Sequence, residues 1–303
     1  MDKQLNSYSR RQFMGTVLAG TGAIMAGSEF STAVAGRKSV RKATDVVTLG
    51  NTGIKTSLLA QGTGWNGGGR TSAHARLGEK EFTKLIRHSL DKGIRFMDMA
   101  DLYGVHNYMR TALDGVPRDD YNVLTKIWPR EEYWNMPSGG AKTEVDRFRK
   151  ELNSDVLEIC LIHCMTDTEW PETYKRIRDE LSELKDKGVV KAVGVSCHDL
   201  GALKVAAAHP WTDIVFARIN NNGASMDGPP EQVAPVLKQA RANGKTVIGM
   251  KIFGSGKLTS SAQKDASLQY VFENELVDAI TIGTLDVKQV NDTISRANKA
   301  LRA

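Results

Sequence analysis

The sequence alternates eight times, from about residue 58 to near its end, between a short apolar run and an amphipathic stretch. Short runs rich in β-branched residues predict strands, and apolar residues three and four apart predict helices. The predicted strands are Leu58–Gly62, Ile94–Asp98, Asn122–Lys126, Leu157–His163, Ala192–Ser196, Ile214–Arg218, Thr246–Lys251 and Ala279–Gly283. The predicted helices lie near Glu79–Lys92, Tyr108–Leu113, Thr143–Leu152, Glu172–Lys187, Leu200–Ala208, Glu231–Asn243, Ala262–Glu273 and Val287–Leu301. Eight strand–helix pairs in about 250 residues predict an α/β fold, a (β/α)8 TIM barrel.

The turns between these elements agree with that fold. Glycines follow Lys92, Lys187 and Asn243 at the predicted ends of three helices, where glycine commonly adopts the left-handed conformation. Ahead of the first barrel strand, the segment Val47–Lys55 predicts a β-hairpin, with Asn51-Thr52-Gly53 at its centre, that caps the barrel floor. No linker interrupts the rest of the chain, so residues 36–303 are predicted to form one domain.

The first 35 residues differ from the rest in composition. Residues 9–14 read Ser-Arg-Arg-Gln-Phe-Met, a glycine-rich apolar stretch follows to Gly27, and Ala33-Val34-Ala35 ends the segment. This layout predicts a twin-arginine signal peptide over residues 1–35, the twin-arginine translocase as partner during export, and a periplasmic or otherwise exported location. The apolar stretch is shorter than the about 20 residues that a bilayer requires, so no stable membrane span is predicted.

The net charge of +6 is concentrated ahead of the predicted barrel. The run Arg37, Lys38, Arg41 and Lys42 contributes +4, and residues 43–303 sum to only +1. A nucleic-acid-binding face needs lysines and arginines gathered on the folded body. A nucleic-acid partner is therefore not expected.

Four polar side chains stand near the carboxyl ends of three neighbouring predicted strands. Asp98 and Tyr103 follow the second strand, Lys126 ends the third, and His163 ends the fourth. Barrel enzymes carry their chemistry at the carboxyl ends of the strands. We therefore expect the carboxylate, the phenol, the amine and the imidazole to share one mouth of the barrel.

These positions resemble the aldo-keto reductase family. The stretch Gly93–Gly104 is similar to the family signature G-x-x-x-x-D-T-A-x-x-Y-G, with Met99 where threonine is usual. Lys126 in Leu124-Thr125-Lys126 and His163 in Leu161-Ile162-His163 match the other two catalytic positions. The resemblance runs from the predicted hairpin to the last helix, which is nearly all of residues 36–303.

The resemblance implies an NAD(P)-dependent oxidoreductase that reduces an aldehyde or a ketone, with a small-molecule carbonyl compound as substrate. It implies that Tyr103 is the general acid and that His163 hydrogen-bonds the substrate oxygen. Lys126 is expected to lower the pKa of the Tyr103 phenol, because a nearby ammonium favours the phenolate. Asp98 is expected to keep Lys126 charged and oriented. The hydride comes from the cofactor, because no side chain supplies one.

By the same resemblance, the cofactor is NADP or NAD, held by the loops after the seventh and eighth strands rather than by a G-x-G-x-x-G fingerprint. The predicted cofactor-binding residues are Ser196, Cys197, Lys251, Gly254, Ser255, Gly256, Lys257, Leu258, Gly283, Thr284, Gln289 and Asp292. Ordinary glycine turns with solvated lysines are the alternative interpretation of these loops.

Three departures from the family bear on the cofactor. Cys197 replaces an asparagine, Phe216 replaces a glutamine, and Leu285-Asp286 stands where a cation often binds the 2′-phosphate of NADP. A carboxylate such as Asp286 suits a ribose diol better than a phosphate. The choice between NAD and NADP therefore stays open.

Two other functions compete with carbonyl reduction. A catalytically silent exported barrel that binds a ligand or a partner is favoured by the departures at Cys197 and Phe216. A metal-dependent barrel hydrolase would need a His-x-His pair on the first strand, and Leu58–Trp65 contains no histidine. No closed set of ligand spacings occurs elsewhere, so no metal site is predicted.

Aromatic and sulfur-containing residues also fall near the predicted mouth. Trp65, Trp128 and Trp134 are expected on loops, where they either wall a substrate pocket or cap the packing. Cys164 and Cys197 follow adjacent strands, which is compatible with a disulfide or with two separate thiols.

Overall fold

The computed structural model describes residues 42–131 and 138–303. The predicted signal peptide, residues 1–35, and Trp134 lie outside these ranges. Within them, a two-stranded antiparallel hairpin precedes a closed barrel of parallel strands. The predicted (β/α)8 barrel with an amino-terminal hairpin is therefore confirmed.

The strands lie close to their predicted positions. The hairpin consists of β1 (Val46–Thr48) and β2 (Lys55–Ser57). The barrel strands are β3 (Leu59–Gly62), β4 (Phe96–Asp98), β5 (Asn122–Ile127), β6 (Leu157–Met165), β7 (Val190–Cys197), β8 (Ile214–Arg218), β9 (Thr246–Met250) and β10 (Ala279–Gly283). Each pairs in parallel with the next, and β10 closes the barrel against β3. Predicted and observed strand ends differ by at most two residues.

Helices cover the outside of the barrel. They are α1 (Gly78–Asp91), α2 (His106–Leu113), α3 (Ala141–Leu152), α4 (Trp170–Thr173), α5 (Lys175–Asp186), α6 (Leu200–Ala208), α7 (Pro230–Ala242), α8 (Ser261–Glu273) and α9 (Val287–Ala300). The single helix predicted near Glu172–Lys187 is wrong, because the non-helical φ of −108° and ψ of 27° at Tyr174 separate α4 from α5. No helix among the described residues is long and apolar enough to cross a membrane.

The ends of several helices follow from single residues. Gly93, Gly188 and Gly244 lie just beyond α1, α5 and α7 with φ of 92°, 72° and 77°, the left-handed conformation predicted for them. At its start, α8 has a capping box, in which Ser260 and Gln263 each bond the other's backbone N–H. These caps set where each helix stops and the next strand begins.

Two apolar layers hold the barrel together. The inner layer fills the barrel, and Leu49 and Ile54 of the hairpin turn belong to it together with Phe96 and Leu124, so the hairpin closes the floor as predicted. The outer layer packs the other face of each strand against the helices. The opposite end of the barrel, where the strands terminate, is left for polar side chains.

Candidate active site

The strand geometry brings the predicted catalytic residues to one end of the barrel. Side chains two apart along a strand share a face, so the inward face that carries Phe96 in β4 carries Asp98 next. The same two-residue spacing places Lys126 on the inward face with Leu124 in β5, and His163 on the inward face with Leu161 in β6. The barrel's own packing pattern therefore delivers a carboxylate, an amine and an imidazole to its carboxyl mouth.

Lys126 is the most buried member of this group. Its Nζ donates to Oδ1 of Asp98 and, at 2.8 Å, to the backbone oxygen of Met99. Burial lowers the pKa of Lys126, and the adjacent Asp98 carboxylate partly offsets that effect. Oδ2 of Asp98 accepts a hydrogen bond of 2.8 Å from the hydroxyl of Thr281 in β10. Both oxygens of the carboxylate are thus engaged, and the ammonium lies between Asp98 and the Met99 carbonyl.

The structure explains why methionine is tolerated at position 99. The Met99 side chain is fully buried in the layer between strands and helices, facing away from the barrel interior. Its backbone oxygen still accepts from Lys126. Replacing the usual threonine therefore leaves this contact of the ammonium in place.

Tyr103 lies in a single 3-10 turn, Asp101–Tyr103, just after β4. Nζ of Lys126 is 5.1 Å from the centroid of its ring, and its hydroxyl shares a hydrogen bond of 3.5 Å with Nε2 of His163. The ring packs so closely on the loop after β3 that a Cβ at Gly64 would stand 2.2 Å from its Cζ.

The predicted direction of the Tyr103 pKa is wrong in this structure. Desolvation raises the pKa well above its ordinary value, and the negative charge of Asp98 raises it further. These effects outweigh the attraction of Lys126 for a phenolate. The phenol is therefore protonated at neutral pH and keeps a proton to donate.

Sequence reasoning did not single out Asp101, which anchors the turn that carries Tyr103. Asp101 is buried, and it accepts from Nε of Arg70 at 3.1 Å and from Nη2 of Arg147 at 2.8 Å. Arg147 also binds Glu144 and Glu151 on its own helix, so α3 holds the turn from outside. The sequence signal for Asp101 was a second acidic residue within Gly93–Gly104, the stretch that is similar to the family signature.

His163 completes the group as a neutral imidazole. Burial, followed by the charge of Lys126 and other cations, lowers its pKa well below the ordinary value. Its ring meets Trp128 edge-on, with centroids 5.6 Å apart. Among the described residues, its Nδ1 has no hydrogen-bond partner. Trp128 therefore walls the side of the mouth next to this imidazole.

A cavity of about 420 Å³, here called the mouth cavity, opens beside Asp98 and Tyr103. Eight predicted cofactor-binding residues line it: Lys251, Ser255, Gly256, Leu258, Gly283, Thr284, Gln289 and Asp292. Four others do not: Ser196, Cys197, Gly254 and Lys257. The loops after β9 and β10 thus come together at the mouth, as predicted from the sequence.

Sequence reasoning missed two features of the mouth cavity. Trp65, for which both a pocket wall and a packing cap were open, lines the mouth cavity and lies against the loop after β9, where a Cβ at Gly256 would stand 3.8 Å from its ring. Lys264 of α8 also lines the cavity, half-buried, with Nζ 5.7 Å from the Phe253 ring centroid. The sequence signal for Lys264 was its position, one turn into the helix that follows the glycine-rich loop.

Asp286 has a local role at the start of α9. Its side chain accepts a hydrogen bond of 2.8 Å from the backbone N–H of Gln289 and caps α9, and it does not line the mouth cavity. The cap engages one of its two carboxylate oxygens, Oδ1. Leu285, its neighbour, does line the cavity.

The strand ends on the far side of the mouth hold the substituted positions. Oγ of Ser196 accepts a hydrogen bond of 2.8 Å from the backbone N–H of Cys164. Phe216, in place of glutamine, lies under Lys126 with Nζ 4.6 Å from its ring centroid, a cation–π contact. Cys164 and Cys197 form no disulfide with each other. Within residues 42–131 and 138–303, no cluster of three or more metal-ligating side chains occurs.

Comparison with known proteins identifies the family. A model of the Aldo/keto reductase family matches residues 59–302. The chain belongs to the aldo/keto reductase family. The match spans the barrel from β3 to α9 and includes all four residues of the constellation at its mouth.

Relatives of this aldo/keto reductase include named enzymes. It is 23% identical over 282 residues to an L-galactose dehydrogenase of Arabidopsis thaliana, covering 82% of this chain and 86% of the relative. It is 24% identical over 179 residues to a methylglyoxal reductase of Salmonella typhimurium, covering 57% of this chain and 61% of the relative. Together with the family match, these names support an oxidoreductase that acts on small carbonyl compounds.

Solved structures share the fold of this aldo/keto reductase. A Pseudomonas aeruginosa protein described as an aldo-keto reductase has a TM-score of 0.70 at 25% identity, covering 86% of this chain and 97% of that one. An aldo-keto reductase from Klebsiella pneumoniae, solved in complex with NADPH, has a TM-score of 0.61 at 16% identity, covering 87% of this chain and 90% of that one.

Proposed function

We propose that this aldo/keto reductase reduces an aldehyde or a ketone with a hydride from NADPH or NADH bound in the mouth cavity, and that Tyr103 is the general acid. The observation that carries the proposal is the buried Asp98–Lys126 pair beneath the Tyr103 ring, with His163 on the Tyr103 hydroxyl, beside that cavity. A phenol, an ammonium and an imidazole in contact are the parts needed to protonate a carbonyl oxygen.

The residues of the mouth cavity suit a nicotinamide dinucleotide. The loop after β9 has left-handed backbone at Ser255 and Gly256, a glycine-rich turn that lets a phosphate approach the backbone closely. Lys251 and Lys264 add positive charge along the same wall. Gln289 and Asp292 supply polar groups at the β10 side, where sugar hydroxyls can bind. The NADPH in the Klebsiella pneumoniae structure supports this class of cofactor.

The side chains at the mouth would manage the proton while the nicotinamide supplies the hydride. Because burial raises the pKa of Tyr103, its hydroxyl is protonated at neutral pH and can donate to the developing alkoxide. The Lys126 ammonium would stabilise the phenolate left behind. The neutral His163 imidazole would hold the substrate oxygen within reach of the Tyr103 hydroxyl, since the two groups already share a hydrogen bond.

We also propose that the protein is exported by the twin-arginine translocase. The support is the Arg10-Arg11 pair ahead of the apolar stretch and Ala33-Val34-Ala35. Replacing both arginines with lysine is expected to leave the protein in the cytoplasm, measured by fractionating the producing cells. Unchanged export of that variant would contradict the assignment.

Titration of the purified protein with NADPH and NADH, followed by quenching of tryptophan fluorescence, tests the cofactor. Quenching is expected, because Trp65 lies at the wall of the mouth cavity.

The catalytically silent barrel is the second candidate, favoured by Cys197 and Phe216 in place of the usual amide-binding groups. Absence of binding by either nucleotide, measured also by calorimetry, would support it.

Replacement of Tyr103 with phenylalanine tests the general acid. Reduction of a reactive test aldehyde is expected to fall by at least about a hundredfold, as for loss of a general acid. Coenzyme affinity is expected to stay within about twofold, because the ring that lines the cavity remains. Equal turnover by Tyr103→Phe and the unchanged protein would refute the assigned acid.

A further inference from the structure

A thiol and an imidazole that the proposed reduction does not use meet at the mouth of the barrel. Cys164 immediately follows His163 in β6, and His198 immediately follows β7. Sγ of Cys164 lies 2.7 Å from Nδ1 of His198, which is within hydrogen-bond distance. The ring of His198 is 6.3 Å from that of His163, so the pair adjoins the carbonyl-binding side of the mouth.

The backbone holds the thiol in this position. Cys164 has a φ of 69°, a left-handed conformation that costs a non-glycine residue about 1–2 kcal/mol. Its N–H donates to Ser196 Oγ at 2.8 Å, and its carbonyl accepts from Nη1 of Arg130 at 3.0 Å. These two bonds tie the strained residue to β7 and to the loop after β5, and so fix where Sγ points.

Positive charge surrounds the pair. Burial lowers the pKa of Arg130, but hydrogen bonding and charge from Cys164 and Tyr174 outweigh it and the pKa is raised. Burial, followed by the charges of nearby cations, lowers the pKa of His198 to about 3, so the imidazole is neutral at pH 7. The titratable and charged groups that interact electrostatically with Cys164 or His198 from neighbouring elements are Tyr103, Lys126, Arg130, His163, Cys197, Arg218 and Lys251. A positive field of this kind favours a thiolate.

Access separates this thiol from the others. The full sequence contains three cysteines, and Cys160 and Cys197 are fully buried. Cys164 is half-buried, which makes it the most exposed of the three cysteines. Burial raises the pKa of the other two thiols, which makes them poor nucleophiles.

We propose that Cys164, hydrogen-bonded by His198 and faced by Arg130, is a nucleophilic thiol that forms covalent adducts with α,β-unsaturated aldehydes and ketones. The thiolate attacks the β-carbon of the double bond, and a carbon–sulfur bond forms as the π electrons move to the α-carbon and carbonyl oxygen. The resulting enolate takes a proton from water at the α-carbon. The net change is addition of the thiol across the double bond, with no oxidant or reductant.

The choice of a carbonyl electrophile rests on the proposed function, since a carbonyl site at Tyr103 and His163 would draw such compounds into the mouth. The reactivity of the thiol itself does not depend on a cofactor or on turnover. An adduct on Cys164 would obstruct the space beside His163, so the same compounds would act as covalent inhibitors of a carbonyl-reducing enzyme.

Labelling of the full chain with N-ethylmaleimide and with acrolein, followed by intact-mass and peptide-mass measurement, tests the proposal. We expect one adduct per chain, on Cys164, from each reagent. Cys164→Ser is expected to abolish it, and Cys160→Ala, which removes a buried thiol of the same strand, to leave the labelling rate unchanged. Labelling on Cys197, or none on the folded protein, would overturn the proposal. Labelling by N-ethylmaleimide without any by acrolein would overturn the assignment of unsaturated aldehydes as the ligand class.

Two variants at His198 separate activation from accessibility. His198→Phe keeps an aromatic ring and removes the hydrogen bond, and it is expected to slow labelling at pH 7 by about tenfold. At a pH high enough to ionise any thiol, the labelling rates of His198→Phe and the unchanged protein are expected to converge. His198→Asn keeps an N–H near the position of Nδ1 and is expected to restore most of the rate. Identical rates for His198→Phe and the unchanged protein at every pH would overturn the role of His198, with circular dichroism confirming that each variant is folded.

Discussion

The hydroxyl of Thr281 donates a hydrogen bond of 2.8 Å to Oδ2 of Asp98, across the width of the strand that lies between them. That strand is β3, and its residue at this level is Gly62, where a Cβ would stand 2.9 Å from the Thr281 hydroxyl oxygen. The missing side chain at Gly62 leaves room for the contact. The last barrel strand therefore helps to orient the carboxylate that holds Lys126.

Replacement of Thr281 with valine tests this contact. The change keeps the shape of the side chain and leaves one oxygen of a buried carboxylate without its donor. The free energy of unfolding is expected to fall by about 1–3 kcal/mol, measured by urea denaturation. Thr56→Val is the matched control, because Thr56 is also buried but its hydroxyl has no partner among the described residues. Equal losses in both variants would show that the Thr281 bond contributes nothing specific.

The Asp98–Lys126 pair predicts a pH dependence. Burial lowers the pKa of Lys126 and Asp98 raises it, so Asp98→Asn is expected to lower the pKa further. The ammonium that would stabilise the Tyr103 phenolate is then lost at a lower pH. The alkaline fall of kcat/KM for aldehyde reduction should therefore move to lower pH in Asp98→Asn and stay in place in Thr56→Val. An unmoved alkaline limb would contradict the role of Asp98.

The close approach of Gly64 to Tyr103 predicts a loss of activity without a loss of fold. A Cβ at Gly64 would stand 2.2 Å from Cζ of the ring, so Gly64→Ala must displace the phenol. A displacement of this size is expected to lower kcat by at least about tenfold. Gly228→Ala is the matched control, since the nearest atom to its Cβ would be the end of the Leu200 side chain at 3.2 Å. Comparable activity in the two variants would show that the ring position is not critical.

The parts of the site that the sequence predicted are those set by the positions of the strand ends. Asp98, Lys126 and His163 come together because parallel strands end at the same rim of the barrel. The structure adds that all three lie on the inward face, because side chains alternate along each strand. The loop from Lys251 to Leu258 reaches the same rim because it directly follows a strand.

The parts that the sequence did not predict depend on packing between distant segments. The direction of the Tyr103 pKa is set by desolvation under the loop that contains Gly64, which no local pattern reports. Asp286 caps α9, and because an N-cap and a ribose contact favour the same residue type, the sequence alone did not reveal the cap. Lys264 was overlooked because a cation was sought next to Gly283, whereas Lys264 reaches the cavity from the helix after the preceding strand.

Lys264 predicts a preference for NADPH over NADH. Its half-buried side chain lines the mouth cavity. Among the described residues, Lys264 forms no ion pair with a carboxylate, so its charge is available to a phosphate. Lys264→Ala is expected to weaken NADPH binding by about tenfold, or ~1.4 kcal/mol, because a charge-assisted contact to the 2′-phosphate is lost. NADH lacks that phosphate, so its affinity should change by less than about twofold.

Lys288→Ala is the control, because Lys288 is an exposed lysine in the first turn of α9 and does not line the cavity. Fluorescence titration of the three proteins with both nucleotides gives the comparison, and an equal loss for NADPH and NADH would place Lys264 on the shared part of the cofactor instead.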